Sequence, residues 1–377
     1  MTKTRASATT ALALRFVALP SPRGQSTPAH QGHSMPSAEE PELILPQPNV
    51  SSREPGASGT PLPGLARRRA VDRLASWGIK AVAFSAIAAV ALIFVFVVRE
   101  AIPVFDSAEV REEVTPASMV LPQTWGKAEA PSFRWQPASK VPKYSLAPLV
   151  VGTFKVTIVA LLFAVPLAIL AAVFSAEFAP RRLREVVKPA IELLAGIPSV
   201  VLGFFALMVL ATFFQQTFGF HYRLNAIVAG VGLGLTIIPV VYTVSEDALI
   251  AVPRVYREAS LALGASRART AWSVILPAAS PGIFAAVVLG FGRAMGETMI
   301  VLMASGNAAI LSVDPSDSVR TIPATIAAEM GEVVVGGAHW SVLFLLGSFL
   351  FLVTLTFNGL GGWYVARLRR KLGGLTA

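Results

Sequence analysis

Apolar residues in this chain come in long runs rather than in the alternating or one-in-three patterns of soluble elements. A helix needs about 20 such residues to cross the hydrocarbon of a bilayer. Six runs are long enough, at residues 79–98, 149–176, 192–214, 224–245, 281–305 and 340–363. The pattern therefore predicts an all-α polytopic membrane bundle of six transmembrane helices. Pro166, Pro239, and Gly196 with Pro198 fall within the runs. Membrane helices tolerate such residues because neighbours re-satisfy the freed backbone groups.

The segments between the runs set the expected orientation. Arg67, Arg68, Arg69 and Arg73 precede the first run, and Arg181, Arg182, Arg184 and Lys188 lie between the second and third. Arg254, Arg257, Arg267 and Arg269 lie between the fourth and fifth, and Arg367, Arg369, Arg370 and Lys371 follow the sixth. The other connections are balanced or acidic: residues 99–148 carry six basic and six acidic residues, and 306–339 carry Arg320 against Asp314, Asp317, Glu329 and Glu332. Basic loops stay in the cytoplasm, so both termini are expected there.

The chain divides on this reading into a tail over 1–66, a first transmembrane helix with its external loop over 67–148, and a core of five helices over 149–377. The tail is rich in Ser, Pro, Ala, Gly and Thr, which predicts disorder. Its run at 11–20 is broken by Arg15 and ended by Pro20, which argues against a cleaved signal. The external segment holds Pro103, Pro116, Pro122, Pro131, Pro137 and Pro142 among its prolines and is expected to be irregular, with room for a short amphipathic helix. Trp125 and Trp135 are expected at the membrane interface, where amphipathic rings are favoured.

Composition sharpens the class. Of 377 residues 54% are hydrophobic and 14% charged, against about 25% charged in soluble domains. The net charge of +10 sits beside apolar runs, which points to membrane lipid and not to nucleic acid. With no cysteine, disulfides and thiolate metal sites are excluded. The four histidines are scattered, and no metal or other cofactor is expected.

Two constellations carry chemistry. In the basic connection between the fourth and fifth runs stand Glu258-Ala259-Ser260, then Gly264, then Val274-Ile275-Leu276-Pro277. Glu258 to Leu263 favours helix, Gly264 permits a tight turn because it lacks a Cβ, and a second helical piece is expected from about Arg267 to Pro277 and Pro281. Small residues at 259 and 260 let a partner backbone approach. The second constellation is Gly292-Arg293-Ala294-Met295-Gly296-Glu297-Thr298-Met299. Counted from Ile283, Arg293 lies about 15 Å along a helix, near the bilayer centre. A charge there costs at least about 2.5–3.5 kcal/mol, so it should face the bundle interior. Glu297, four residues on, is expected to pair with it on one helical face. Gly292 and Gly296 form a small-xxx-small pair for a neighbouring helix. Lys155 is expected to snorkel to water, with attraction of anions to an entrance as the alternative. Glu192 is expected as a helix-start acid.

The first constellation resembles the EAA loop of ABC importer permeases: Glu-Ala-Ala, three residues, Gly, nine residues, then Ile-x-Leu-Pro. Ser260 replaces the third residue and Val274 the Ile. The resemblance implies a type I importer permease whose loop, over about 246–280, couples to a separate ATPase through Glu258, Ala259, Ser260, Gly264, Leu276 and Pro277. A narrower resemblance rests on the run around Arg293, on Gly152-Thr153 with Ala164-Val165-Pro166, and on Ala190 to Ser199. Over residues 70–370 these are similar to the phosphate-specific (Pst-type) permeases, and more to the PstC-like than the PstA-like subunit. Met295 departs from the family's Leu. This implies a phosphate ion path at Arg293 and Glu297. It also implies a second, PstA-like permease, a dimeric PstB-like ATPase and an external PstS-like binding protein as partners.

Two other readings stay open: a permease of the same class for sulfate, molybdate or tungstate, and an ion-coupled transporter acting alone. The second would show several intramembrane carboxylates or inverted repeats. A membrane enzyme is disfavoured, since no Gly-x-x-x-x-Gly-Lys-Ser/Thr phosphate loop occurs.

Overall fold

The computed structural model describes residues 65–124 and 131–373. The expected tail and Trp125 lie outside the described residues, apart from Leu65 and Ala66 at the start of the first helix. The chain divides between Val71 and Asp72, and the unit over Asp72–Ala377 holds the bundle.

Helix α1 spans Leu65–Ala101 and is followed by three short helices, α2 (Pro103–Asp106), α3 (Ala108–Glu113) and α4 (Pro116–Val120). Strands β1 (Trp135–Gln136) and β2 (Lys143–Tyr144) pair antiparallel, Trp135 opposite Tyr144. Helix α5 (Ala147–Val173) runs into a π-helical turn at Phe174–Phe178, then α6 (Arg181–Ala195) and α7 (Ser199–Phe205). A second π turn at Ala206–Leu210 leads to α8 (Ala211–Phe218), and α9 follows (Ala226–Ile250). Two short helices, α10 (Arg254–Ala262) and α11 (Arg267–Thr270), lead through a third π turn at Ala271–Ile275 into α12 (Leu276–Met295). The chain ends in α13 (Met299–Ala304), α14 (Ile322–Glu329) and α15 (Ala338–Gly373).

Six helical runs among the described residues are long and apolar enough to cross a membrane: 73–106, 147–178, 199–218, 226–250, 267–295 and 338–368. Two differ from the expected runs for a physical reason. Gly196-Ile197-Pro198 breaks the third, so residues 192–195 end α6 and the spanning helix starts at Ser199. Glu192 therefore lies in the last turn of α6, where the helix dipole disfavours an acid, and is not a helix-start residue. The fifth begins earlier and stops sooner than expected, ending at Met295.

The centre of the bundle is α5 against α9. Every fourth residue of α5 from Val156 is small or branched (Val156, Ala160, Ala164, Ala168, Ala172), and all are buried. An i, i+4 row forms one ridge, and small side chains let membrane helices approach closely. Gly230 and Gly234 of α9 meet that ridge, since a Cβ there would strike Val159 and Phe163. Helix α12 packs on α9 in the same way, Gly282 against Ala248. Pro166 and Pro239 lie inside unbroken α5 and α9. By contrast α1 presents Leu74 to Phe96 almost wholly outward, as a helix facing lipid does.

Residues 102–124 and 131–146 are more ordered than expected. Val104, Val110, Val114, Met119, Trp135 and Tyr144 form a second core with Leu149, Ile322, Val342, Leu343 and Leu346. Trp135 is only 4% exposed, so it is not an interfacial anchor. Its indole N–H donates to both oxygens of Glu329 at 3.1 Å.

Candidate functional site

The turn between α12 and α13 carries the second constellation, Gly292 to Met299. The expected uninterrupted helix fails at Gly296, which closes α12 and leaves 296–298 non-helical. Arg293 and Glu297 then cease to be one helical turn apart, and no ion pair joins them. The Glu297 carboxylate instead accepts the backbone N–H groups of Thr298 and Met299, both at 3.2 Å on Oε1. An acid at the start of α13 is favoured by that helix's free amides. Arg293 occupies the last turn of α12. Among the described residues its guanidinium has no ion-pair or hydrogen-bond partner, and the side chain is exposed on the single chain. Gly292 meets Asn358 of α15, whose amide lies 3.1 Å from the position of a Cβ. Gly296 has only its own turn nearby, so the glycine pair admits one neighbour, not two.

Beside this turn a narrow cleft is lined by Thr153 and Thr157 of α5, Met295, Glu297, Thr321 and Pro323. Thr153 Oγ1 donates to the Leu149 carbonyl at 2.7 Å and accepts from the Ile322 N–H at 3.0 Å. The Thr321 hydroxyl is buried without a partner. Sequence reading missed these threonines because each sits among apolar residues. Their common location comes from the segment 305–322 folding back against α5.

That fold-back also meets Lys155, whose Nζ donates to the carbonyl of Asp314 at 2.9 Å. The Asp314 carboxyl is held below its ordinary value by hydrogen bonds from the Ser316 backbone and hydroxyl.

The first constellation, Glu258 to Pro277, forms two short helices at an arginine-rich end of the molecule. Gly264 adopts φ +82° between α10 and α11, a conformation a Cβ would strain. Ser266 then caps α11, accepting from the Arg269 N–H at 3.2 Å. The second piece does not stop at Pro277 or Pro281. The π turn at 271–275 puts Pro277 in the first turn of α12, where a missing N–H costs little. Glu258, Ala259 and Leu263 are exposed, and α10 buries none of its residues. Ser260 is partly covered, its hydroxyl 2.9 Å from that of Thr270. Leu276 is half-buried and Pro277 exposed.

Behind this pair lies a polar network that sequence reading did not find. Arg257 donates to Glu177 at 2.7 Å and to the carbonyls of Leu249 and Val252 at 2.8 and 2.7 Å. Glu246, fully buried, accepts from the Ser175 hydroxyl at 2.6 Å. Lys188 Nζ lies 3.2 Å from its Oε2 and 3.2 Å from Oδ1 of Asp247. Burial alone would push the Lys188 ammonium down; the hydrogen bonds and charges of Glu246 and Asp247 outweigh it and hold its pKa above the ordinary lysine value. The available signal was an acid at the end of each of two apolar runs, Glu177 and Glu246, facing connections rich in arginine.

An all-α bundle of six spanning helices, with a short helical pair projecting between the fourth and fifth, defines a multi-pass permease. Residues 164–370 match the family described as binding-protein-dependent transport system inner membrane component. The chain belongs to that family and is a multi-pass inner-membrane protein. It is 40% identical over 227 residues to the probable ABC transporter permease protein YqgH of Bacillus subtilis, covering 60% of this chain and 73% of that protein. It is 33% identical over 269 residues to the phosphate transport system permease protein PstC of Mesorhizobium japonicum, covering 66% and 81%. Among solved structures, it is similar to the MetNI methionine ABC transporter in an inward-facing conformation, with TM-score 0.46 and 20% identity over 59% of this chain and 96% of that one.

Proposed function

We propose that this chain is the PstC-like permease subunit of an ATP-driven importer of inorganic phosphate. A second, PstA-like permease would complete the path, a dimeric PstB-like ATPase would supply the energy and an external PstS-like protein would deliver the ion. The relatives named for phosphate transport support the substrate. The observation that carries the site is Arg293: a guanidinium in a broken membrane helix, without a partner among the described residues.

Leu276 begins α12 beside the arginine-rich end, and 17 residues at 1.5 Å put Arg293 about 25 Å further along. The hydrocarbon is about 30 Å thick, so on this count Arg293 lies in its outer half rather than at its centre. A lipid-facing charge there is still costly. It is tolerated if it faces a wet path closed by the second permease. A planar guanidinium offers paired donors to an oxyanion and stays charged at every relevant pH. Glu297, with Oε1 held by two backbone amides, lines the same turn and presents a second polar group to the path. The arginine-rich end is assigned to the cytoplasm by the positive-inside rule, which puts both termini and α10–α11 there. The chain itself then performs no hydrolysis; Glu258, Ala259, Ser260 and Gly264, with Leu276 and Pro277 behind them, meet the ATPase.

Radiolabelled phosphate uptake, in cells whose other phosphate transporters are deleted, tests this. Uptake should depend on this chain and resist excess sulfate, molybdate and tungstate. Competition by one of those anions at equal concentration would assign the other substrate instead.

A further inference from the structure

The π turn Phe174–Phe178 at the end of α5 is gripped from two sides. A π turn spaces its backbone bonds five residues apart and leaves carbonyls poorly shared. Arg184 of α6 takes them: Nε and Nη2 donate to Ser175 O at 2.9 and 2.5 Å, and Nη2 to Ala176 O at 2.7 Å. From the other side Arg257 of α10 approaches Glu177 within the same turn. Its Nε lies 3.1 and 3.2 Å from the two carboxylate oxygens, and its Nη2 2.7 Å from Oε1. The same guanidinium holds the Leu249 and Val252 carbonyls at the end of α9.

The two side chains are 22% and 11% exposed, so this is not a solvent-screened surface pair of small worth. Losing one partner would leave the other charge largely buried. One planar fork spans a carboxylate and two carbonyls, which an ammonium cannot do.

The position of this contact matters more than its strength. Helix α10 buries no residue, so apolar packing does not fix it to the bundle. Arg257 does, while the next residue, Glu258, points outward and is exposed. Apart from the three-residue chain link from α9 and the Ser260–Thr270 contact with α11, a displacement of α10 therefore reaches α5 and the end of α9 through one guanidinium. We infer that the Arg257–Glu177 clamp is the linkage that delivers movement of α10 to the spanning helices α5 and α9. Arg257 and Glu177 are positioning residues for coupling. This rests on the reading of α10 as the ATPase-docking helix.

The test uses the whole complex, purified with its ATPase and reconstituted in proteoliposomes with the external binding protein. Glu177→Gln, Arg257→Lys and the double variant are compared with the wild type. Three quantities are measured: ATPase retained on the permease, basal hydrolysis, and ATP consumed per phosphate imported. Both single variants should keep the ATPase and the basal rate but consume severalfold more ATP per ion. The double variant should be no worse than either single, as expected for residues acting as one unit. An unchanged ratio in both singles overturns the clamp. Loss of the ATPase from both also overturns it, since the pair would then serve only to hold α10 folded. Glu258→Arg is measured alongside. If that change leaves ATPase retention and stimulation at the wild-type level, the docking reading fails, and the clamp's role goes with it.

Discussion

The carbonyl of Arg320 lies where a side chain on Gly152 would have to be: a Cβ built at Gly152 stands 2.2 Å from that oxygen. The backbone of the segment before α14 is thus seated directly on α5, one residue from the Thr153 hydroxyl that bonds Ile322. Gly152→Ala must displace backbone, and overpacking of this kind costs about 1–3 kcal/mol. Its melting temperature in detergent should fall clearly, whereas Gly359→Ala, with open space around it, should leave it unchanged. Equal melting of the two variants would contradict the close seat.

Arg293→Gln should abolish phosphate uptake while the protein still inserts and retains its ATPase, because none of the described residues bonds to the guanidinium. Arg293→Lys should also lose most uptake, for want of the paired donors. Normal uptake kinetics in Arg293→Gln would remove Arg293 from the path.

Gly264→Val should release or uncouple the ATPase. At φ +82° a branched residue is held in a conformation costing on the order of 1–2 kcal/mol, and the α10–α11 angle should open to relieve it. Co-purification of the ATPase, read together with binding-protein-stimulated hydrolysis, checks this; wild-type values for both would show that the turn is not a docking determinant.

Glu329 gathers Arg320 Nη1 at 2.7 Å, the Trp135 indole and His339 Nε2 at 3.3 Å. Glu329→Ala leaves Arg320 mostly buried without its acid, a class of change worth roughly 3–5 kcal/mol. Thermal unfolding should begin earlier, with a red-shifted tryptophan emission as Trp135 meets water. Glu329→Gln, which keeps an acceptor for the indole, should sit between the two. A wild-type melting curve for the alanine variant would argue against this cluster as the anchor of β1.

Tyr144 gives a pH prediction. Burial, and then the charges of Glu113 and Glu329, push its phenol from the ordinary 10.0 up to about 12. A raised folded-state pKa means that the linked stability is intact below pH 10.0 and is lost as pH rises towards about 12. Unfolding of wild type should steepen across that window, and Tyr144→Phe should flatten it. Identical alkaline profiles would exclude this tyrosine as the cause.

The spanning helices were legible because lipid demands long apolar runs, and the Glu258–Gly264 turn because only a residue without a Cβ adopts φ +82° cheaply. The breaks at 196–198 and 296–298 were not, since glycine and proline are also tolerated within membrane helices. The Arg293–Glu297 pairing failed for that reason: an i, i+4 spacing has meaning only along an unbroken helix. Trp135 departs from its expected place, and the Lys155–Asp314 contact is invisible in the sequence, because the partners lie 194 and 159 residues further along the chain. Arg257 was counted as a basic charge, and only the fold brings Glu177 and the end of α9 to it.

The start of α9 sets an order of assembly. Asn225 covers the amide of Val228, but Ala226 and Ile227 donate to the carbonyls of Asp317 and Pro315. Those carbonyls emerge from the ribosome only after α9, α12 and α13 have been made. Until then the first turn of α9, at the heart of the bundle, must keep its amides hydrated. Final burial of the central helix is therefore a late event in biogenesis, gated by a segment that does not itself cross the membrane.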